Sequence, residues 1–176
     1  MLDLRKLRYF LTVAEEVADG RLDVGLSRLL PQSAQVHTLS LGQERLMAAV
    51  STDSPLASLA QLSLMQLSPH PLILFPADYG SGLNHSIEQL YRRHGVPLRP
   101  GPTGRQITSI IALVAAGQGV ALVPQCTQSL MNKGVTYRPL IEADAHAPLL
   151  VLTRKEESNA AVRAFMTVID EVVPTP

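Results

Sequence analysis

The residues best suited to handle a small molecule lie in one short stretch, Tyr79-Gly80-Ser81-Gly82-Leu83-Asn84. Its two glycines let the backbone approach a bound ligand closely. Ser81 and Asn84 are side chains of the type that cap a helix start. The N–H groups and dipole at such a start attract an anion, a small carboxylate among them. The same six residues equally describe an ordinary strand-to-helix loop with a good cap. A second set is Arg28, Arg105 and Gln106. Arg28 follows a predicted strand, where an arginine more commonly lays its aliphatic stem over apolar neighbours.

Catalytic constellations are not legible. Gly117-Gln118-Gly119 follows a helix and precedes a strand, the reverse of a dinucleotide-binding loop. Gly80-Ser81-Gly82 lacks the spacing of a nucleophile elbow. His37, His70, His85, His94 and His146 are scattered without cysteine or carboxylate partners at ligand spacing, so no metal is expected. Cys126, the one cysteine, excludes an internal disulfide framework and suits a reducing cytosol. The expectation is a protein without catalytic residues or cofactor.

The elements that must position these residues follow from periodicity. Ile107, Ile110, Ile111 and Val114 repeat at helical spacing, with Gly117 placed for a left-handed C-cap. Thr103 and Gln106 match a capping box. The run Val120 to Val123 reads as a strand buried on both faces, ended by Pro124, which cannot donate to a sheet. Further strands are read at Leu22–Leu26, Leu39–Ser51, Leu72–Phe75, Val135–Leu140 and Leu149–Leu152. One helix carries Leu83, Ile87, Leu90 and Tyr91; another, capped by Ser158 or Asn159, carries Val162, Phe165, Met166, Ile169 and Val172. Val96 to Gly101, crowded with prolines, reads as extended chain. Strands alternating with helices predict an α/β fold with mostly parallel sheets.

Composition narrows the function classes. At 176 residues the chain allows one domain or two small lobes, and with 46% apolar but 4% aromatic residues its core must be aliphatic. A formal net charge of +0 gives no reason to expect nucleic acid over the whole surface. Basic residues cluster only at Arg5, Lys6, Arg8 and at Arg92, Arg93. The N-terminus lacks the pattern of a signal peptide, and no apolar run approaches the roughly 20 residues that span a bilayer. A cytoplasmic location without membrane contact is the expectation.

Four motifs in order carry a resemblance. VAAGQGVALVP (Val114–Pro124), GRLDVGLSR (Gly20–Arg28), ILFP (Ile73–Pro76) and LRKLRYFLTVAEE (Leu4–Glu16) resemble segments of LysR-type transcriptional regulators. The last is similar to the first helix of the family's winged helix-turn-helix. The resemblance implies a two-lobed periplasmic-binding-protein-like (type II) effector domain whose first lobe is incomplete. In this reading 1–18 is the helix remnant, 19–51 and 125–176 are partial lobe I, and 52–124 is lobe II. The material between the first helix and GRLDVGLSR looks deleted, leaving an exposed strand edge that invites self-association.

The resemblance also implies effector contacts at Arg28, Gly80, Ser81, Gly82, Leu83, Asn84, Gln106 and Pro124. In aromatic-acid-responsive members, the positions matching Ser81, Gly82 and Leu83 line the main pocket. Glycine and leucine stand here where those members carry larger polar and aromatic residues, so ligand identity does not transfer. Arg28 resembles a basic residue directed at a second acidic ligand, but its glutamate partner is replaced by Gln106. The implied partner is a small organic acid, with DNA engaged only through a complete family member. A freestanding solute-binding module is the alternative. Since no recognition helix is legible, this chain by itself should show no nanomolar operator binding in a gel shift at physiological salt. A tight, sequence-specific shift would overturn that expectation.

Overall fold

Burial along strand β2 (Val36–Ser51) changes character partway. Its first ten residues are exposed or half-buried, whereas all six from Leu46 to Ser51 are buried. Leu46 to Val50 are an unbroken apolar run, so this end can be covered on both faces, while the polar residues upstream cannot. The computed structural model describes residues 13–31, 33–77, 82–130 and 133–173. They form two compact units, one from residues up to Gln43 and from Pro148 onward, the other Glu44–Ala147. β2 and β7 (His146–Arg154) each contribute to both.

The first unit contains helix α1 (residues 13–18), β1 (Val24–Ser27), the outer parts of β2 and β7, and helix α5 (Ala160–Val172). The earlier part of the predicted first helix, with Arg5, Lys6 and Arg8, lies outside the described residues. β1 pairs antiparallel with β7, from Val24↔Thr153 to Ser27↔Leu150. Ala14, Val17, Leu150 and Leu152 make a small core, with Val13 and Val36 against them. α5 is capped by Asn159, whose Oδ1 accepts from Ala161 N at 3.0 Å. Of the apolar stripe predicted on it, Val162 alone is buried; Phe165 and Val172 are 47% and 72% exposed.

The second unit is a layered α/β structure. Its elements are a 3-10 turn at Pro55–Ser58, α2 (Leu64–Leu67), β3 (Leu72–Leu74), α3 (Gly82–Arg93), β4 (Pro100–Thr103), α4 (Ile107–Ala115), β5 (Ala121–Pro124), a 3-10 turn at Gln125–Ser129, and β6 (Val135–Pro139). β3 pairs parallel with β4 and, through Leu72↔Val120, parallel with the chain entering β5. β5 and β6 flank the buried end of β2, both antiparallel to it. The order across this unit is therefore β4-β3-β5-β2-β6.

Mostly parallel sheets are thus not what forms. Parallel pairing is confined to β3, β4 and β5, which α3 and α4 connect, since a parallel neighbour needs a long crossover. The strands that pass from unit to unit meet their neighbours antiparallel, as β1·β7, β2·β5 and β2·β6 show. β4 reads in the sequence only as extended chain because prolines crowd it. Pro97, Pro100 and Pro102 each lack the N–H that a ladder needs.

Alternation along the strands sorts the helices onto opposite faces. Leu46, Ala48, Val50, Leu72, Val120 and Leu122 pack with Leu83, Ile87, Leu90 and Tyr91 of α3. The intervening residues Ala49, Ile73, Ala121 and Val123 pack with Ile110, Ile111 and Val114 of α4. The end of α4 is a Schellman motif, as the placing of Gly117 predicts. Gly117 N donates to Val114 O at 2.9 Å and Gln118 N to Leu113 O at 3.0 Å. Gly117 takes the left-handed φ of 69° that this requires.

One polar feature lies within the apolar layer under α3. The Tyr91 hydroxyl and Glu142 Oε2 are buried without a hydrogen-bond partner, while Glu142 Oε1 accepts from Leu64 N at 2.9 Å. Burial, and then the charge of Glu142, push the Tyr91 phenol above its ordinary value of 10.0. An unfolded tyrosine ionises first, so this contribution is intact below pH 10 and is lost as pH rises toward the higher folded value. Tyr91→Phe should therefore leave urea stability at neutral pH unchanged or slightly raised, and should flatten its decline above about pH 10. Marked destabilisation at neutral pH would show that the hydroxyl contributes a net bond.

Candidate functional site

The parallel strands of the second unit mark a candidate site by their connectivity. From β3 the chain crosses to β4 on one side, then returns past β3 to β5 on the other. Strand order reverses at β3, and the helices that follow β3 and β4 lie on opposite faces. In open α/β sheets the crevice outside the carboxyl ends of strands at such a reversal is where ligands are held. Here the residues at those strand ends are Phe75 after β3, Thr103 ending β4 with Gly104 to Gln106 leading into α4, Pro124 ending β5, and Gly82 beginning α3.

Backbone bonds define its geometry. Leu72 N donates to Arg99 O at 2.8 Å and Gly104 N to Leu74 O at 3.0 Å, so even-numbered residues of β3 address β4. Ile73 N donates to Val120 O at 2.8 Å and Val120 N to Pro71 O at 2.9 Å, so odd-numbered ones address β5. Beyond Val120 no further β3–β5 rung is made among the described residues. At Phe75 the Asn84 side chain takes over: Phe75 N donates to Oδ1 at 3.2 Å and Nδ2 donates to Phe75 O at 2.9 Å. Gly104 makes the turn into α4 so tightly that a Cβ would lie 2.9 Å from Ile110 N.

The predicted site residues fare differently. Gly80 and Ser81 lie outside the described residues, as does Tyr79. Gly82 opens α3 and is half-buried. Leu83 is buried in the core under α3, so its side chain packs protein. The sequence predicts Asn84 as a cap; instead it lies within α3 and binds Phe75, because β3 leaves that residue's backbone groups without a strand partner. Pro124 is the buried end of β5, opposite Leu46. Arg28 belongs to the first unit, where Nη1 donates to Pro148 O at 3.3 Å.

Gln106 is the N-cap of α4 and makes no side-chain cap bond. The Thr103–Gln106 capping box is thus not formed; Thr103 is the last residue of β4 instead, short of the helix. The leading N–H groups of α4 stand beside the exposed Thr103, Arg105, Gln106, Thr108 and Ser109. At the β5 end a carboxylate is already in place, Glu44 Oε1 accepting from Cys126 N at 3.2 Å. Sequence reasoning does not single out as site residues Phe75, Thr103 or Glu44, which the structure sets at or beside these strand ends. Only the strand register brings them there, and no local pattern announces it. Chemically the arrangement offers neutral donors, a helix dipole and a guanidinium, which suit an anion.

Residues 9–174 match the family model described as the LysR substrate binding domain. The chain is 29% identical over 155 residues to the HTH-type transcriptional regulator CatR of Pseudomonas putida, covering 88% of this chain and 53% of that protein. The crystal structure of full-length BenM, a regulator of Acinetobacter baylyi, superposes with a TM-score of 0.80 at 28% identity, over 90% of this chain and 53% of that one. The BenM effector binding domain with its effector benzoate gives 0.73 at 28% identity, covering 92% and 76%. The chain spans about half the length of the curated relatives it matches.

An N-cap position without its cap bond is a local weakness that can be measured. Gln106→Asp should gain that bond and a favourable dipole interaction, stabilising the free chain by about 1 kcal/mol in urea unfolding. No gain would show that the Gln106 backbone cannot present a side chain to α4.

Proposed function

Because the chain belongs to the LysR substrate-binding domain family, we propose that it is the effector-sensing part of a transcriptional regulator and binds a small organic acid. The observation supporting this reading is the reversal of strand order at β3, with α3 and α4 packed on opposite faces of the sheet, the arrangement beside which open α/β sheets hold ligands. The matched relatives are named as transcriptional regulators, and one solved relative holds benzoate. A carboxylate placed at the leading turn of α4 would meet helix N–H groups, the Thr103 hydroxyl, the Gln106 amide and the charge of Arg105.

In this reading Glu44 sets a boundary. Its carboxylate at Cys126 repels a second negative charge from the β5 end, so an acid would be held by its carboxylate near α4 with its uncharged part toward β5. The two compact units are taken as the two lobes of the effector domain, the second being the one that carries this crevice. Binding favours one conformation over another in proportion to the ligand's differential affinity, and a complete regulator passes that bias to DNA. Self-association belongs to the same reading, supported by the exposed Phe165, Val168 and Val172 of α5. Among the described residues no helix is long and apolar enough to cross a membrane.

A thermal-shift panel of small carboxylates, each beside its amide or alcohol counterpart, tests the proposal. A true effector at about a hundred times its Kd should raise the midpoint by roughly 5–10 °C, its neutral counterpart by much less. Arg105→Gln should weaken the response. Equal responses to acids and their neutral counterparts would overturn the anion assignment.

A further inference from the structure

The sheet ends at Phe75 in an unusual way. Odd-numbered residues of β3 point their backbone groups toward β5, yet β5 leaves β3 after Val120 to pair along β2. Phe75 would then present an N–H and a C=O to no strand, at the mouth of the proposed crevice. The Asn84 amide meets both, giving one acceptor to the Phe75 N–H and one donor to its C=O, as a strand neighbour would. It is one false rung, supplied by a helix.

We infer that Asn84 is the positioning residue of the crevice: by clasping Phe75 it fixes the start of α3 at the end of β3, in register with the α4 turn. Its side chain is half-buried and its helix is anchored by Leu83, Ile87 and Leu90 in the core, so the clasp joins two rigid elements. The two hydrogen bonds tie together positions nine residues apart in sequence. Local sequence would place Asn84 as a cap, but a cap could be replaced by serine or aspartate, and this role cannot. Aspartate lacks the donor and would set an oxygen against the Phe75 carbonyl. Only its protonated form has one donor and one acceptor, as the amide does. The assignment rests on the effector reading for its purpose, but not for its geometry.

The test compares the full chain with Asn84→Ala and Asn84→Asp, by amide hydrogen exchange at Phe75 and by thermal shift with benzoate as probe. Asn84→Ala should lower protection of the Phe75 amide about tenfold, leave amides in the second half of α3 unchanged, and reduce the benzoate response. Asn84→Asp should resemble alanine at neutral pH and recover protection as pH falls through about 5, a rescue that simple loss of packing would not give. Unchanged protection at Phe75 in Asn84→Ala, or an acid-insensitive Asn84→Asp, overturns the clasp. An undiminished benzoate response in Asn84→Ala overturns its positioning role. If benzoate stabilises none of the three, the acid giving the largest shift in the carboxylate panel replaces it as probe; if no acid of the panel stabilises any of them while Phe75 behaves as expected, the clasp stands and the effector reading is what fails.

Discussion

The second unit depends on how closely β5 can lie against β3. Gly119 makes this possible. It adopts a φ of 154°, and a Cβ there would fall on the carbonyl oxygen of Pro71, which accepts the Val120 bond. With that approach permitted, Val120 bonds to both Pro71 and Ile73, β5 is seated between β3 and β2, and strand order reverses at β3. The two-faced packing of α3 and α4 follows from the alternation this register imposes. So does the place proposed for the effector, since it is defined by the ends of strands held in that order.

Much of this is readable from residues alone because the signals are local. The α4 stripe, the Gly117 cap and the apolar run into Pro124 each depend on neighbours within a few positions, and each forms. Pairing direction is not local. Helix-linked strands are parallel as their spacing implies, but the direction of β1 against β7, or β2 against β6, is set by how the chain re-enters a unit. β4 is hidden for a different reason, since prolines at 100 and 102 argue against a strand unless it sits where few donors are needed.

The site is legible in part. The α3 start draws attention through its glycines, but the side chain that matters there, Asn84, reads as a cap because capping is what asparagine does near a helix start. Its partner is a backbone group nine residues earlier, and backbone groups leave no trace in sequence. Gln106 shows the converse. A capping pattern is present at Thr103 and Gln106, yet the strand extends to Thr103 and the helix begins without a side-chain cap bond. Departures from local rules cluster where strand ends meet helix starts, which is where proteins commonly give up stability for binding.

The uneven cover along β2 has a consequence of its own. One continuous strand has a polar, half-open stretch from Val36 and a sealed stretch from Leu46, so a single element answers to two local stabilities. Opening can begin at its outer end without disturbing the rungs to Pro124 and Pro139. A protease would therefore find substrate in the outer part of β2 while the Leu46–Ser51 end stayed shut. The part of the chain that outlives such nicking would be the part to which effector binding is assigned.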